Sequence, residues 1–512
     1  MSIEKNQLKI GIILNYVTLI IGNLIPVFYT PIMLRLLGQS EYGLYKLSST
    51  FTSYLTLLSL GIGSAVTRYL IKAKIEGGKA EEERYLGLFV IIFRIIAIIS
   101  FVAGIVLVLI VDLFYGKSLN GDQISKMKIL VLIMSINTAL TFLMTPQISV
   151  VTAHERFVFA QSMNILSTVA VPLINIVVLY IGAESIGMTL VTLFVNTIIR
   201  IAYYFYVLKK LRIKVKYKEL PKDMLKEILT FSFWIFVANI VTQLYNSTDT
   251  IMIGMIPTLA TTGVAVYNVG ATFNGIVTSL AVGISSILLP ATNKAVFSGA
   301  SNKELTDMAI KVGRIQSYIV SLVVFGFVAF GKPFVYIYAG EEYSDAYWVA
   351  VFMMIPYMIP LVQNLCLNIV IAQNKHAFRS LVYLGIAILN VIGSWFALKK
   401  WGVTGAAAIT GIALVIGQGI VMNWYYKNKI GLDIPRFWKE IISIYVVPSV
   451  LCLITIVISR YINFYNIIYL LLGIITFSIL FIIFEWLYVT NSYEKNIIRN
   501  PIMKILRKIR HE

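Results

Sequence analysis

Roughly fourteen long apolar runs, separated by short polar breaks, leave this chain few ways to fold. A bilayer core about 30 Å thick takes about 20 apolar residues per helix. The runs lie near 9–34, 42–67, 85–111, 127–150, 157–180, 186–208, 229–254, 262–289, 312–331, 347–371, 380–398, 402–426, 440–459 and 466–489. A soluble alternative fails on composition. Residues are 58% hydrophobic and 13% charged, with a mean hydropathy of +0.83, whereas a soluble domain carries about a quarter charged residues. The expectation is an all-α integral membrane protein with about 14 transmembrane helices.

The net charge of +19, from 43 Lys+Arg against 24 Asp+Glu, raises three classes of partner: nucleic acid, lipid headgroups or an anionic cargo. Location decides between them. The first run is too long for a signal peptide and lacks a small-residue cleavage site, so it is expected to stay as a helix. An even helix count puts both termini on one side, and loops on that side hold 32 Lys/Arg against 8 on the other. Cytoplasmic loops carry such an excess, so both termini are expected in the cytoplasm. Most of the basic charge then orients the chain and meets anionic membrane lipids, with no nucleic-acid partner implied.

An internal repeat appears at an offset of 222. Residues 45–64 (YKLSSTFTSYLTLLSLGIGS) and 267–286 (YNVGATFNGIVTSLAVGISS) share eight of 20 positions, including Tyr45/Tyr267, Phe51/Phe273 and Gly61/Gly283. Run 2 therefore matches run 8. Six helices per unit is an even number, so both units enter the membrane in the same direction, as in parallel-repeat transporters with the pseudo-two-fold axis along the membrane normal. The expected organisation is a six-helix bundle over 1–208, a basic cytoplasmic linker over 209–226, and a second six-helix bundle over 227–426. Two additional helices and a basic tail fill 427–512.

Polar residues recur at helical spacing on the first two runs of each unit. Run 1 carries Asn15, Thr18, Gly22 and Pro26, and run 2 carries Tyr45, Ser49, Thr52 and Thr56. Run 7 carries Asn239, Gln243, Asn246 and Asp249, and run 8 carries Asn268 and Thr272. Such groups are costly against lipid and belong at a helix interface or a wet cavity. Small residues alone would serve tight helix packing, but the Asn, Gln and Asp side chains favour a central cavity. Asn15, Thr52, Thr56, Asn239, Gln243, Asn246, Asn268 and Thr272 are its expected lining.

Ionisable residues inside membrane helices are functional candidates. Arg94 sits in LFVIIFRIIAII, Arg68 closes run 2, and Asp249 extends the stripe of run 7. Lys46 and Arg200 lie nearer helix ends, where long side chains reach the interface, and Arg200 is read as structural. Cys366 and Cys452 fall inside runs and are expected to be core filler. His154, His376 and His511 are not in ligand spacing, so no metal site is expected.

LLGQSEYGLYKLSSTF (36–51), TDTIMIG (248–254) and GVTGAAAITGI (402–412) resemble polysaccharide flippases of the Wzx type. Their superfamily, MOP, also contains multidrug (MATE) exporters and lipid II flippases. The resemblance implies export of an undecaprenyl-diphosphate-linked oligosaccharide across a bacterial plasma membrane by two alternating bundles. Under it, Arg68, Arg94 and Lys46 would take the diphosphate, and Asp249 a coupling ion. No cofactor is implied beyond a Na+ or H+ gradient, and polysaccharide assembly proteins are further partners. The arginines of lipid II flippases on helices 1, 2 and 8 are mostly missing here, because run 1 has none before Arg35 and run 8 no Arg or Lys before Lys294. A cation-coupled drug exporter would carry more cavity acids. A membrane glycosyltransferase or polymerase is disfavoured, since the longest outer loop, near 331–347, has about 16 residues and its GEEYSD cluster (340–345) reads as a solvated acidic face.

Overall fold

The computed structural model describes residues 2–221, 224–373, 375, 377–496 and 499, and no β-strand occurs among them. His376, His511 and the tail from residue 500 lie outside the described residues. The helices are α1 (Ser2–Ser53), α2 (Ile62–Tyr115), α3 (Gly121–Ala153), α4 (Phe157–Tyr180), α5 (Glu184–Phe205), α6 (Leu225–Met255) and α7 (Ala260–Phe297). They continue with α8 (Asn302–Ala339), α9 (Ala346–Val362), α10 (Asn364–Ala372), α11 (Ala377–Leu414), the single turn α12 (Asn423–Tyr425), α13 (Ile434–Ile458) and α14 (Ile467–Phe484).

Eleven helical segments among the described residues are long and apolar enough to cross a membrane, but three of them span 47, 51 and 53 residues. At 1.5 Å per residue, a 50-residue helix would be about 75 Å long, far beyond one crossing. Each of the three contains a glycine at positive φ: Gly38 (75°), Gly78 (67°) and Gly402 (62°). An L side chain is disfavoured in that region, and each long segment is two helices joined at a kink there. Divided at these glycines, the helical path follows the fourteen apolar runs. Together with the outward-facing apolar rows, this makes the protein a multi-pass membrane protein. On α2, Ile95, Ile98, Val102, Leu109 and Leu113 form one such row, with Leu113 81% exposed, an arrangement that water would not tolerate over so large an area.

Two compact units divide the chain, Met1–Asn268 and Val269–Glu512. In the first, α2 packs on α3, α3 on α5, and α1 on α4. Its core joins Val66, Tyr69 and Leu70 to Leu86, Phe89 and Phe93 and to Val150 and Val151. Ile213 of the connecting segment and Ile228 of α6 complete that core, so the basic linker is docked rather than slack. Glu83 accepts from the backbone N–H of Lys214 at 3.1 Å and pairs with Lys216 at 3.2 Å. Arg84 donates to the Glu219 carbonyl at 2.7 Å. Gly87 lets this segment pass, since a Cβ there would stand 1.7 Å from the Lys216 carbonyl oxygen.

In the second unit α8 is the hub, packed by α9, α13 and α14. Cys366 lies buried among Leu305, Val362, Met422 and Phe437, and Cys452 among Phe330, Phe464 and Phe477, both as free thiols. Both cysteines are core filler, as their setting in apolar runs indicated. Arg314 is buried on α8 and forms a bidentate pair with Glu494, at 2.6 and 3.1 Å.

Candidate functional site

Run 2 does not continue as one helix. It passes through a 3-10 stretch, Tyr54–Ser59, and two left-handed residues, Leu60 and Gly61, before α2 begins. Non-helical backbone at membrane depth persists where protein or a cavity surrounds it. Here α6 supports it. Gln243 donates to the Ser53 hydroxyl and to Ser247 at 2.7 Å, and Tyr54 and Thr248 share a hydrogen bond of 3.3 Å.

Beside this break, within the first unit, lies a polar cavity of about 240 Å³ lined by Tyr45, Ser49, Thr52, Ser53, Met134, Asn137, Thr138, Thr189 and Thr192. Three helices supply it. On α1, Tyr45, Ser49 and Thr52 repeat at four and three residues. On α3, Asn137 and Thr138 lie three and four residues after Met134, and on α5 Thr192 lies three after Thr189. At those spacings they occupy one face of each helix.

Most of the hydroxyls are already donors to their own helices. Thr52 donates to the Ser48 carbonyl at 2.9 Å, Ser53 to Thr50 at 2.6 Å and Thr138 to Met134 at 2.9 Å. Thr189 donates to Ser185 at 2.8 Å and Thr192 to Met188 at 2.9 Å. Their remaining lone pairs are acceptors. None of the lining residues is acidic.

Arg200 continues the polar face of α5 past Thr192 and Asn196. It is 8% exposed, and its Nη2 donates to Asn137 Oδ1 at 2.9 Å and to Thr141 Oγ1 at 2.6 Å. Its Nη1 is buried with no hydrogen-bond partner among the described residues. Sixteen residues at 1.5 Å each place Arg200 about 24 Å along α5 from Glu184, towards the end that carries Lys209 and Lys210. The guanidinium is buried where α5 packs against α3.

The residues singled out in the sequence are distributed more widely. Thr52 lines the cavity, and Gln243 touches its Ser53 edge. Lys46, one residue from Tyr45, places its Nζ 5.6 Å from the centre of the Tyr42 ring. Asn15 accepts from Gln161 of α4 at 3.3 Å. Thr56 donates to the Ser53 carbonyl at 2.7 Å, and Asn239 and Asn246 are exposed on α6. Asn268 donates to Thr250 at 3.3 Å, while Thr272 is half-buried in the second unit. Asp249 is buried and accepts from Tyr267 Oη at 2.6 Å, which joins α6 to α7.

Arg94 and Arg68 are exposed and do not line the cavity. The Arg94 guanidinium lies 5.5 Å from the centre of the Tyr217 ring, because the linker folds back along α2 to meet it. Arg68 lies 5.9 Å from the Tyr69 ring centre. Sequence reasoning missed Asn137, Thr138, Thr189, Thr192 and Arg200. The signal was present, since runs 4 and 6 carry polar residues at the same three- and four-residue spacing as runs 1 and 2.

The sequence profile of a family described as polysaccharide biosynthesis protein matches residues 8–296. Among solved structures, the lipid II flippase MurJ in an inward closed conformation is similar with a TM-score of 0.71 and 16% identity, over 93% of this chain and 98% of that one. An inward-facing multidrug resistance MATE family transporter of the MOP superfamily gives a TM-score of 0.62 at 14% identity, over 82% and 99%. The Vibrio cholerae MATE transporter VcmN in the bent form gives 0.52 at 15% identity, over 85% and 100%. No curated protein sequence matches the chain. At these identities the structural likeness is one of fold.

Proposed function

Since this chain belongs to the polysaccharide biosynthesis protein family and has the fold of MOP-superfamily transporters, we propose that it is a flippase for undecaprenyl-diphosphate-linked oligosaccharide. It would move the glycan headgroup from the inner to the outer leaflet of a bacterial plasma membrane, with both termini cytoplasmic, by alternating access, while the polyprenyl tail stays in lipid. The observation that carries this reading is the cavity itself, which is rich in hydroxyls and free of acidic lining residues. Sugar hydroxyls are donors that such acceptors satisfy, and a site without carboxylates offers little to an organic cation. A cation-coupled drug exporter fits this lining less well.

Lys46 lies on α1 one residue from the cavity-lining Tyr45 and is proposed as an outer-half partner that the diphosphate meets as it passes outward. Arg68 and Arg94, which are exposed, are proposed to meet the headgroup as it approaches along the membrane surface. Asp249 is proposed to hold the coupling cation or proton. The direct test is expression in a bacterial strain deleted for its own oligosaccharide flippase. Restored surface polysaccharide is expected, with no gain in resistance to cationic drugs. Drug resistance without restored polysaccharide, at normal membrane abundance, overturns the proposal.

A further inference from the structure

We infer that the Arg200–Asn137 pair is an oxyanion subsite that receives a phosphate of the cargo, with the glycan lying towards Thr192, Thr189 and Tyr45. This deepens the transport reading above and rests on it for the identity of the ligand.

A buried guanidinium is costly unless it is paired and hydrogen-bonded. Arg200 has neutral partners only. Nη2 is shared between Asn137 Oδ1 and Thr141 Oγ1, and Nη1 finds no partner among the described residues. No carboxylate among the described residues pairs with its charge, and the buried Nη1 amino group remains for an incoming acceptor. An arginine kept only for packing would not need that donor left over.

The pair also fixes the chemistry of Asn137. Because Arg200 takes Oδ1, the amide orientation is set, and Nδ2 makes no hydrogen bond among the described residues. Asn137 lines the cavity, so its two N–H donors belong to the end of the cavity nearest Arg200. Elsewhere the threonines have spent their protons on backbone carbonyls and present acceptors. One end therefore offers a cation and amide donors, the other offers oxygen lone pairs. A phosphate is an acceptor and a sugar is rich in donors, so a phosphosugar matches both ends in one orientation. Charge-assisted hydrogen bonds of this kind are the stronger class.

The test uses the full-length protein in detergent or nanodiscs, with thermal shift and calorimetry as readouts. The probes are inorganic pyrophosphate, farnesyl diphosphate and vesicles of phosphatidylglycerol, which separate a free oxyanion, a lipid-linked diphosphate and an ordinary anionic headgroup. Wild-type protein is expected to bind one or both diphosphates, and Arg200→Gln to weaken that binding by about 10- to 100-fold, the range for a hydrogen bond to a charged group. Asn137→Asp guards against misfolding. It places a carboxylate beside Arg200, so the melting temperature is expected to hold or rise while diphosphate binding is lost. Diphosphate binding within twofold of wild type in Asn137→Asp, or in folded Arg200→Gln, overturns the subsite. So does a wild-type protein that binds neither diphosphate, or responds only to phosphatidylglycerol in a manner indifferent to Arg200→Gln. Failure to restore surface polysaccharide, alongside Arg200-dependent diphosphate binding, would reject the flippase reading and leave the subsite standing.

Discussion

Asp249 and Tyr267 illustrate how a single pair serves two scales. The hydrogen bond of 2.6 Å joins α6 to α7 while burying a carboxylate. If Asp249 carries the coupling ion, Asp249→Asn keeps the shape and an acceptor for Tyr267 but removes the ionisable group. The expected outcome in inverted vesicles is export that no longer responds to the Na+ or H+ gradient; an unchanged gradient response would reject the role. Tyr267→Phe should instead act on stability, since a hydrogen bond to a charged group contributes about 1.5–3 kcal/mol, and a lower melting temperature would register it. At this scale the sequence was legible in part. Asp249 and Thr52 stood out because they interrupt apolar runs already scanned for polar stripes. Arg200 was read as structural near a helix end, and sequence alone cannot show that Asn137 and Thr141 face it from another helix. Arg94 stood out as a cation inside an apolar run, but its surroundings were not legible. The linker that folds back to put Tyr217 over it is a tertiary event without a local signature.

Elements were more legible than their junctions. The fourteen runs follow from hydropathy alone, and polar breaks mark Gly38, Gly78 and Gly402, but hydropathy cannot show that neighbouring helices meet at a kink on one left-handed glycine. The 3-10 break in run 2 was invisible because Ser, Thr and Leu are tolerated in either conformation. The second half of α1 must also pass close to α7: a Cβ at Gly43 would lie 1.8 Å from the Thr261 carbonyl oxygen. Gly43→Val should therefore push α1 and α7 apart, with an overpacking cost of about 1–3 kcal/mol, seen as a lower melting temperature or reduced membrane abundance. In the second unit, the segment after α14 is secured through Glu494. Arg314 is buried and donates to Glu494, Glu440, Tyr318 and the Val489 carbonyl. Arg314→Ala is expected to cost about 3–5 kcal/mol by stranding the Glu494 carboxylate. The double variant Arg314→Met with Glu494→Leu should recover much of that loss, and a double variant as unstable as Arg314→Ala would show that the pair is not what anchors the segment.

For the whole molecule, charge placement and packing make separable statements. The repeat divides the sequence at the basic linker, whereas packing assigns α6 and the start of α7 to the first unit. Sequence similarity records the repeated unit, but Gln243–Ser53, Tyr54–Thr248 and Ser40–Thr261 contacts record what the helices touch. Orientation in the membrane depends on neither, because the Lys/Arg bias acts through the loops during insertion. Loops joining even-numbered runs to odd-numbered ones hold most of the basic residues, including the linker and the 298–301 turn that precedes Lys303. Reporter domains fused after residue 215 or after Gly299 should therefore be active only as cytoplasmic reporters. Fusions after Lys117, Gly182 or Glu341 should be active only as external ones. The asymmetry of 32 against 8 is large enough that neutralising two or three linker lysines should not invert the pattern. A reporter result with opposite sides at Gly299 and residue 215 would break the even count between them, and with it the placement of α6 and α7 as two full crossings.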